Sequence, residues 1–153
     1  MEIELTYDML GNRLRAIGGV VIDYDRWGNR PRSLGSWSLD YDSWGNRLRS
    51  IGDALIDYHK WGNRPRSLGS WNLDYDRFGS RLRHVGPHQL TYDTLGSRVR
   101  TVGPMTIFYD RLGNRPSRVE LPGEDVLMPE ELLLALFLVL YLDTEQKKRN
   151  SDT

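Results

Sequence analysis

Residues 39–52 read LDYDSWGNRLRSIG, and residues 22–35 (IDYDRWGNRPRSLG) and 56–69 (IDYHKWGNRPRSLG) repeat them almost letter for letter. Within this unit Leu39 and Tyr41 alternate with Asp40 and Asp42, the two-residue period of a half-buried strand. Asp-x-x-Gly-Asn follows, a turn composition in which Asp bonds its own backbone and Gly supplies a positive φ. A second short strand, RLRSI, ends at Gly52. The unit therefore reads as a β-hairpin.

Working outward, the same unit recurs every 17 residues from the N-terminus to about residue 119. Tyr7, Tyr24, Tyr41, Tyr58, Tyr75, Tyr92 and Tyr109 mark seven copies without insertion. Arg13, Arg30, Arg47, Arg64, Arg81, Arg98 and Arg115 form a second ladder. Gly11 and its equivalents form a third, and Asn12, Asn29, Asn46, Asn63 and Asn114 a fourth. A strict period of this length marks a stacked structural unit. Two strands per unit give about 14 strands of roughly five residues.

A four-residue loop would set Asp42 opposite Arg47, Tyr41 opposite Leu48 and Asp40 opposite Arg49. One face then carries Tyr and Leu, the other Asp–Arg pairs, and a one-residue slip would put arginine among leucines. Pro31, Pro65 and Pro116 occupy the Leu48 position, so the amide there is expected to be unpaired, at a bulge. Ile51 and its equivalents have the parity of the arginine face; a bulge before the glycine would turn them inward.

The segments YDMLGNRL, YDSWGNRL, YDTLGSRV and YDRLGNRP resemble the YD repeats of bacterial RHS proteins and of the teneurins. The resemblance covers the chain to about residue 119, as a short seven-repeat array. It implies hairpins joined in one β-strip that curls into a shell, and it supplies no catalytic residue.

After the repeats, Pro122 and Gly123 read as a linker and a helix is expected from Pro129. Glu130 and Glu131 suit its N-terminal dipole, and Lys147, Lys148 and Arg149 its C-terminal end. Residues 132–142 (LLLALFLVLYL) are apolar without interruption, spanning about 16 Å at ~1.5 Å per residue. That is short for a ~30 Å hydrocarbon core, and a helix apolar all round is buried on all sides. Fourteen strands ~4.8 Å apart, closed at a ~36–45° tilt, give a radius of about 13–15 Å, space for one helix of radius ~5–6 Å plus lining side chains.

The expected fold class is therefore mainly β: a curled or barrel-like antiparallel sheet of seven hairpins with one apolar C-terminal helix buried against or inside it. A parallel β-solenoid of 17-residue coils is the competing arrangement. The expected organisation is a repeat array over 1–121, a linker over 122–128, a helix over 129–149 and a disordered tail over 150–153. Leu132, Leu133, Leu136, Phe137 and Leu140 are the expected helix plug, and the tyrosine and arginine ladders are expected to be structural.

The totals bound the function. Twenty-one basic residues balance 21 acidic ones, which argues against a globally steered nucleic-acid or membrane-surface binder. There is no cysteine, and the alternating start MEIELTYD has no secretory pattern, which points to the cytoplasm. His84 and His88 lack a third ligand, so neither metal nor cofactor is expected. No phosphate loop, nucleophile elbow or HExxH occurs, and no enzyme is expected.

Trp27, Trp44, Trp61 and Phe78 share one repeat position beside the turn glycine and are the ligand-binding candidates. Stacking on glycans is one use of them and packing over neighbouring hairpins another, and leucine at the same place in three repeats (Leu10, Leu95, Leu112) favours packing. The expected function is a non-enzymatic scaffold or protein-interaction module with a protein partner or self-association. A glycan-binding module is the second reading. A subunit docked through its helix or strand edges is the third.

Overall fold

The computed structural model describes residues 1–153 except 10–12, 28–29, 44–46, 62–63, 79–80, 95–97, 112–114, 125–126 and 152–153. The first four hairpins are β1 (Glu2–Tyr7) with β2 (Leu14–Ile17), β3 (Val20–Tyr24) with β4 (Pro31–Leu34), β5 (Trp37–Tyr41) with β6 (Leu48–Ile51), and β7 (Ala54–Tyr58) with β8 (Pro65–Leu68). The last three are β9 (Trp71–Tyr75) with β10 (Leu82–Val85), β11 (His88–Tyr92) with β12 (Val99–Val102), and β13 (Met105–Tyr109) with β14 (Pro116–Glu120). One helix, α1 (Glu130–Ser151), follows. All fourteen strands form one closed antiparallel barrel in sequence order, with β14 returning to β1. The antiparallel wall excludes the solenoid arrangement, and α1 runs two residues beyond the expected end at 149.

Each hairpin has the same register. In the third, Leu39 faces Ile51, Asp40 faces Ser50 and Tyr41 faces Leu48. The expected Tyr41–Leu48 pairing is present, whereas the expected Asp40–Arg49 pairing is not. Arg49 is the extra residue of a bulge between the two pairs, left unpaired on the outer face. The same bulge restores inward parity to Ile51, which is fully buried. It also explains the prolines: Pro31, Pro65 and Pro116 sit beside the bulge, facing Tyr24, Tyr58 and Tyr109.

Two kinds of connection separate the two ends of the barrel. At one end are the seven hairpin loops, six Asp-x-x-Gly and one His-x-x-Gly, whose glycine and asparagine ladders lie outside the described residues. At the other end successive repeats join by two-residue turns. Their first residue is a glycine with φ between 55° and 60°, and no other residue type has positive φ among the described residues. A positive φ at the first central position alone defines a type II′ turn, matched to strand twist. This is why Pro87 and Pro104 can occupy the second position. At Gly86 a Cβ would also come within 2.5 Å of the Trp71 ring.

The chain leaves β14 at the II′-turn end and, from Glu130, runs as α1 through the barrel. Ala135, Leu136, Phe137, Leu138, Val139 and Leu140 are consecutive and all buried, so the helix is covered around its whole circumference. They form one core with Leu5, Ile22, Leu39, Ile56, Leu73, Leu90 and Ile107, one from each hairpin. Of the expected plug, Leu133, Leu136, Phe137 and Leu140 are buried; Leu132 is only half-buried, at the helix entry. Closure pairs every strand on both sides and α1 is buried within its own chain. The strand edges are paired within the chain, and residues 135–140 of α1 are covered by the wall.

The outward positions include Glu4, Asp23, Arg32, Asp40, Arg49, Asp74 and Arg83, all exposed. A lipid-facing barrel carries an apolar outer band instead. No helix among the described residues is long and apolar enough to cross a membrane.

Candidate functional site

The Asp-x-x-Gly end is where sequence and structure concentrate unusual chemistry. Its base is a ring built from the tyrosine ladder. Between repeats the regular pairing is short: β4 meets β5 only at Ser33–Ser38 and Leu34–Trp37. Beyond it the tyrosine hydroxyl takes over. Tyr41 donates to the Pro31 carbonyl at 2.5 Å, Tyr24 to Leu14, Tyr75 to Pro65, Tyr92 to Leu82 and Tyr109 to Val99. Tyr58 donates to the Leu48 carbonyl in the same way. Tyr7 closes the circle on Pro116 of the seventh repeat at 2.6 Å. The residue before each bulge is thus used through its carbonyl, so proline serves there as well as leucine.

Each tyrosine ring is covered by the arginine of the preceding repeat, from Arg47 over Tyr58 at 4.1 Å to Arg98 over Tyr109 at 4.5 Å. Arg115 covers Tyr7 at 4.3 Å, so this ring also closes. Six of the seven arginines are held by the aspartate of their own hairpin. Nε donates to Oδ2 at 2.7 Å in Arg13–Asp8, and at 2.8 Å in Arg47–Asp42 and Arg115–Asp110. Planar guanidinium can serve ring and carboxylate together, which ammonium cannot, and this accounts for arginine over lysine. Burial raises the tyrosine pKa values, partly offset by the arginine on each ring: Tyr24, Tyr58 and Tyr92 are pushed up to about 12. The hydroxyls therefore stay protonated and donate. Both ladders are engaged within the wall.

The fourth repeat breaks the pattern. His59 replaces the aspartate, and Arg64 has no carboxylate within ion-pair distance among the described residues, although it still covers Tyr75 at 4.3 Å. The His59 ring meets Tyr75 edge-on at 6.3 Å, with its Nε2 buried and without a partner among the described residues.

Above this ring stand the loop aromatics. Trp27 is 86% exposed, Trp61 85% and Phe78 91%. They project from the rim and do not pack over neighbouring hairpins, so the packing preference fails for these three. Leucine at the same position in other repeats was a misleading guide, because apolar character at a loop tip does not specify a neighbour to bury it. Trp44, Leu10, Leu95 and Leu112 lie outside the described residues. Each exposed ring has the cation before it in sequence near its face: Arg26 5.7 Å from the centre of Trp27, Lys60 5.7 Å from Trp61 and Arg77 5.4 Å from Phe78. Sequence inspection missed these cations; their signal was the basic residue just before the aromatic in three repeats. The end of α1 emerges inside this rim. Asp143 lies close enough to raise the pKa of Tyr7, Tyr92 and Tyr109 on three different hairpins, and Glu145 that of Tyr41 and Tyr58.

At the opposite end His88 of β11 lies against Trp71, with ring centres 5.5 Å apart. Its Nε2 is 2.8 Å from Glu131 Oε1 at the start of α1, within ion-pair reach but not aligned as a hydrogen bond. His84 and His88 are not brought together with a third ligand; no group of three metal-ligating side chains occurs among the described residues.

Compared with known proteins, the chain matches no family model, no curated protein and no solved structure.

Proposed function

We propose that this chain is a non-enzymatic scaffold, a miniature shell of YD/RHS type, that presents its aromatic loop rim to a protein partner. One observation carries the reading: Trp27, Trp61 and Phe78 are 85–91% exposed on a single edge of a rigid wall. Large aromatics are enriched at interface centres, and solvent-facing patches of them mark interaction sites. The tyrosine hydroxyls and the six Asp–Arg pairs are already engaged within the chain. Residence in the cytoplasm belongs to the same proposal: a cysteine-free chain needs no oxidising compartment for its fold.

The test is a triple variant, Trp27→Ser/Trp61→Ser/Phe78→Ser, used as bait in extracts of the protein's own cell. Its melting temperature should match the parent, because the rings contact little. Its capture of partner should be lost. Capture equal to the parent's would remove the rim from consideration. A glycan is the second reading, favoured because each cation covers one ring face and leaves the other open for stacking a sugar. A glycan array separates the two: binding that disappears in the triple variant would favour the sugar.

A further inference from the structure

The chain is neutral overall, with 21 basic and 21 acidic residues, yet the barrel separates its charges along its axis. At the loop rim Arg26, Lys60, Arg64, Arg77 and Arg111 are exposed and, among the described residues, have no carboxylate within ion-pair distance. The emerging end of α1 adds Lys147, Lys148 and Arg149, against Asp143 and Glu145. The opposite end is acidic. Glu2 faces Glu120 directly across the β1–β14 closure, an arrangement of like charges that costs stability. Asp53, Glu124, Glu130 and Glu131 are exposed at the same end. Its cations are the Met1 ammonium, which donates to the Leu121 and Gly123 carbonyls, Arg118, 3.7 Å from Glu2, and His88, beside Glu131.

The two ends also match in place. Because α1 runs through the barrel, its acidic start and its basic end lie on one axis. Around that axis the basic end carries Trp27, Trp61 and Phe78, and the acidic end carries Leu127, 81% exposed. We propose that copies of this chain associate head to tail, the basic aromatic rim of one barrel seating on the acidic end of the next. This rests on the reading of the rim as a docking surface and names its occupant as a second copy. The contact is heterologous, since the two faces differ. It propagates as a linear stack and does not close as a two-fold dimer. It brings cations to the Glu2–Glu120 pair and covers the exposed rings.

The experiment is sedimentation velocity on the full chain over a range of concentrations. At low salt the average mass should rise with concentration. In about 1 M salt, where the screening length falls to about 3 Å, it should return toward the monomer. Two charge-reversal variants sharpen the test, one at each end: Arg26→Glu/Arg77→Glu, and Glu120→Lys/Glu124→Lys. All four positions are exposed, and unchanged circular dichroism checks the fold. Each variant alone should associate roughly tenfold more weakly or worse, because like charges then meet. Mixed in equal amounts, the two variants should associate again, each reversed end meeting its complement. A parent that stays monomeric at low salt and high concentration overturns the proposal, as does a mixture that fails to recover. Monomer that instead sediments with phosphatidylserine-containing vesicles overturns it in favour of a lipid surface. If the charge variants behave as the parent while the triple aromatic variant still loses a cellular partner, self-association fails and the rim's role as a docking surface stands.

Discussion

Removing a single side chain from the axis of the barrel tests the architecture most directly. Leu138 sits near the middle of α1, fully buried, on a helix whose residues 135–140 are all buried. Leu138→Ala deletes three carbons where the surrounding wall cannot collapse, because its circumference is fixed by fourteen strands paired in a closed circle. The expected cost is that of a rigid site, about 2–5 kcal/mol. For a chain of this size each kcal/mol lowers the melting temperature by about 2–4 °C, so the shift should be about 4–20 °C. Leu55→Ala provides the control: Leu55 is 64% exposed on the outer wall, and its loss should stay within about 0.5 kcal/mol. Thermal melts and urea titrations by circular dichroism measure both. The extreme version is truncation after Gly123. It removes six large buried side chains, Leu133, Leu136, Phe137, Leu138, Val139 and Leu140. At roughly 1.5–3 kcal/mol each they represent about 9–18 kcal/mol of gross burial, comparable with the whole stability of a domain. The truncated chain should be insoluble or molten. A truncated chain that is soluble, monomeric and cooperatively folded, or a Leu138→Ala variant no weaker than Leu55→Ala, would refute the helix as internal core.

Three further outcomes follow from the ring at the loop end. Arg47→Ala and Asp42→Ala should be less than additive, with a coupling of about 0.2–1 kcal/mol in a double-mutant cycle, since the pair is partly exposed; strict additivity would deny the contact. His59→Asp should give Arg64 the carboxylate its six counterparts have and stabilise the chain by up to ~1 kcal/mol; a lower melting temperature would show that the histidine is selected for fit. Alkaline titration should unfold the protein. The folded pKa of Tyr24, Tyr58 and Tyr92 is raised from 10.0 to about 12, so their contribution is complete below about pH 10 and is lost as pH rises through about 12. Tyrosinate absorbance rising at about pH 10, before any loss of circular dichroism, would contradict the buried ring.

The amino-acid sequence by itself determined the tile. A strict 17-residue period, alternation in Leu39–Tyr41, and the turn signals at Asp42 and Gly52 are local, so hairpins, their number and the apolar helix were legible without coordinates. Even the bulge left a trace, in the prolines at the Leu48 position and the parity of Ile51. What the tertiary structure decided is everything that depends on closing the circle. Tyr7 bonds Pro116, Arg115 covers Tyr7 and Glu2 faces Glu120, residues more than a hundred positions apart whose pairing no local pattern encodes. The placing of Arg49 in the bulge, opposite no aspartate, needed the actual ladder, because one inserted residue shifts every later partner. Exposure of Trp27, Trp61 and Phe78 was likewise undetermined: an apolar residue at a loop tip is buried or bare according to what the rest of the fold brings near it. The separation of charge is the plainest case. A composition that sums to zero carries no direction, and only the closed barrel with α1 along its axis gathers Arg26, Lys60, Arg77 and the basic end of α1 at one end and Glu2, Glu120, Glu130 and Glu131 at the other.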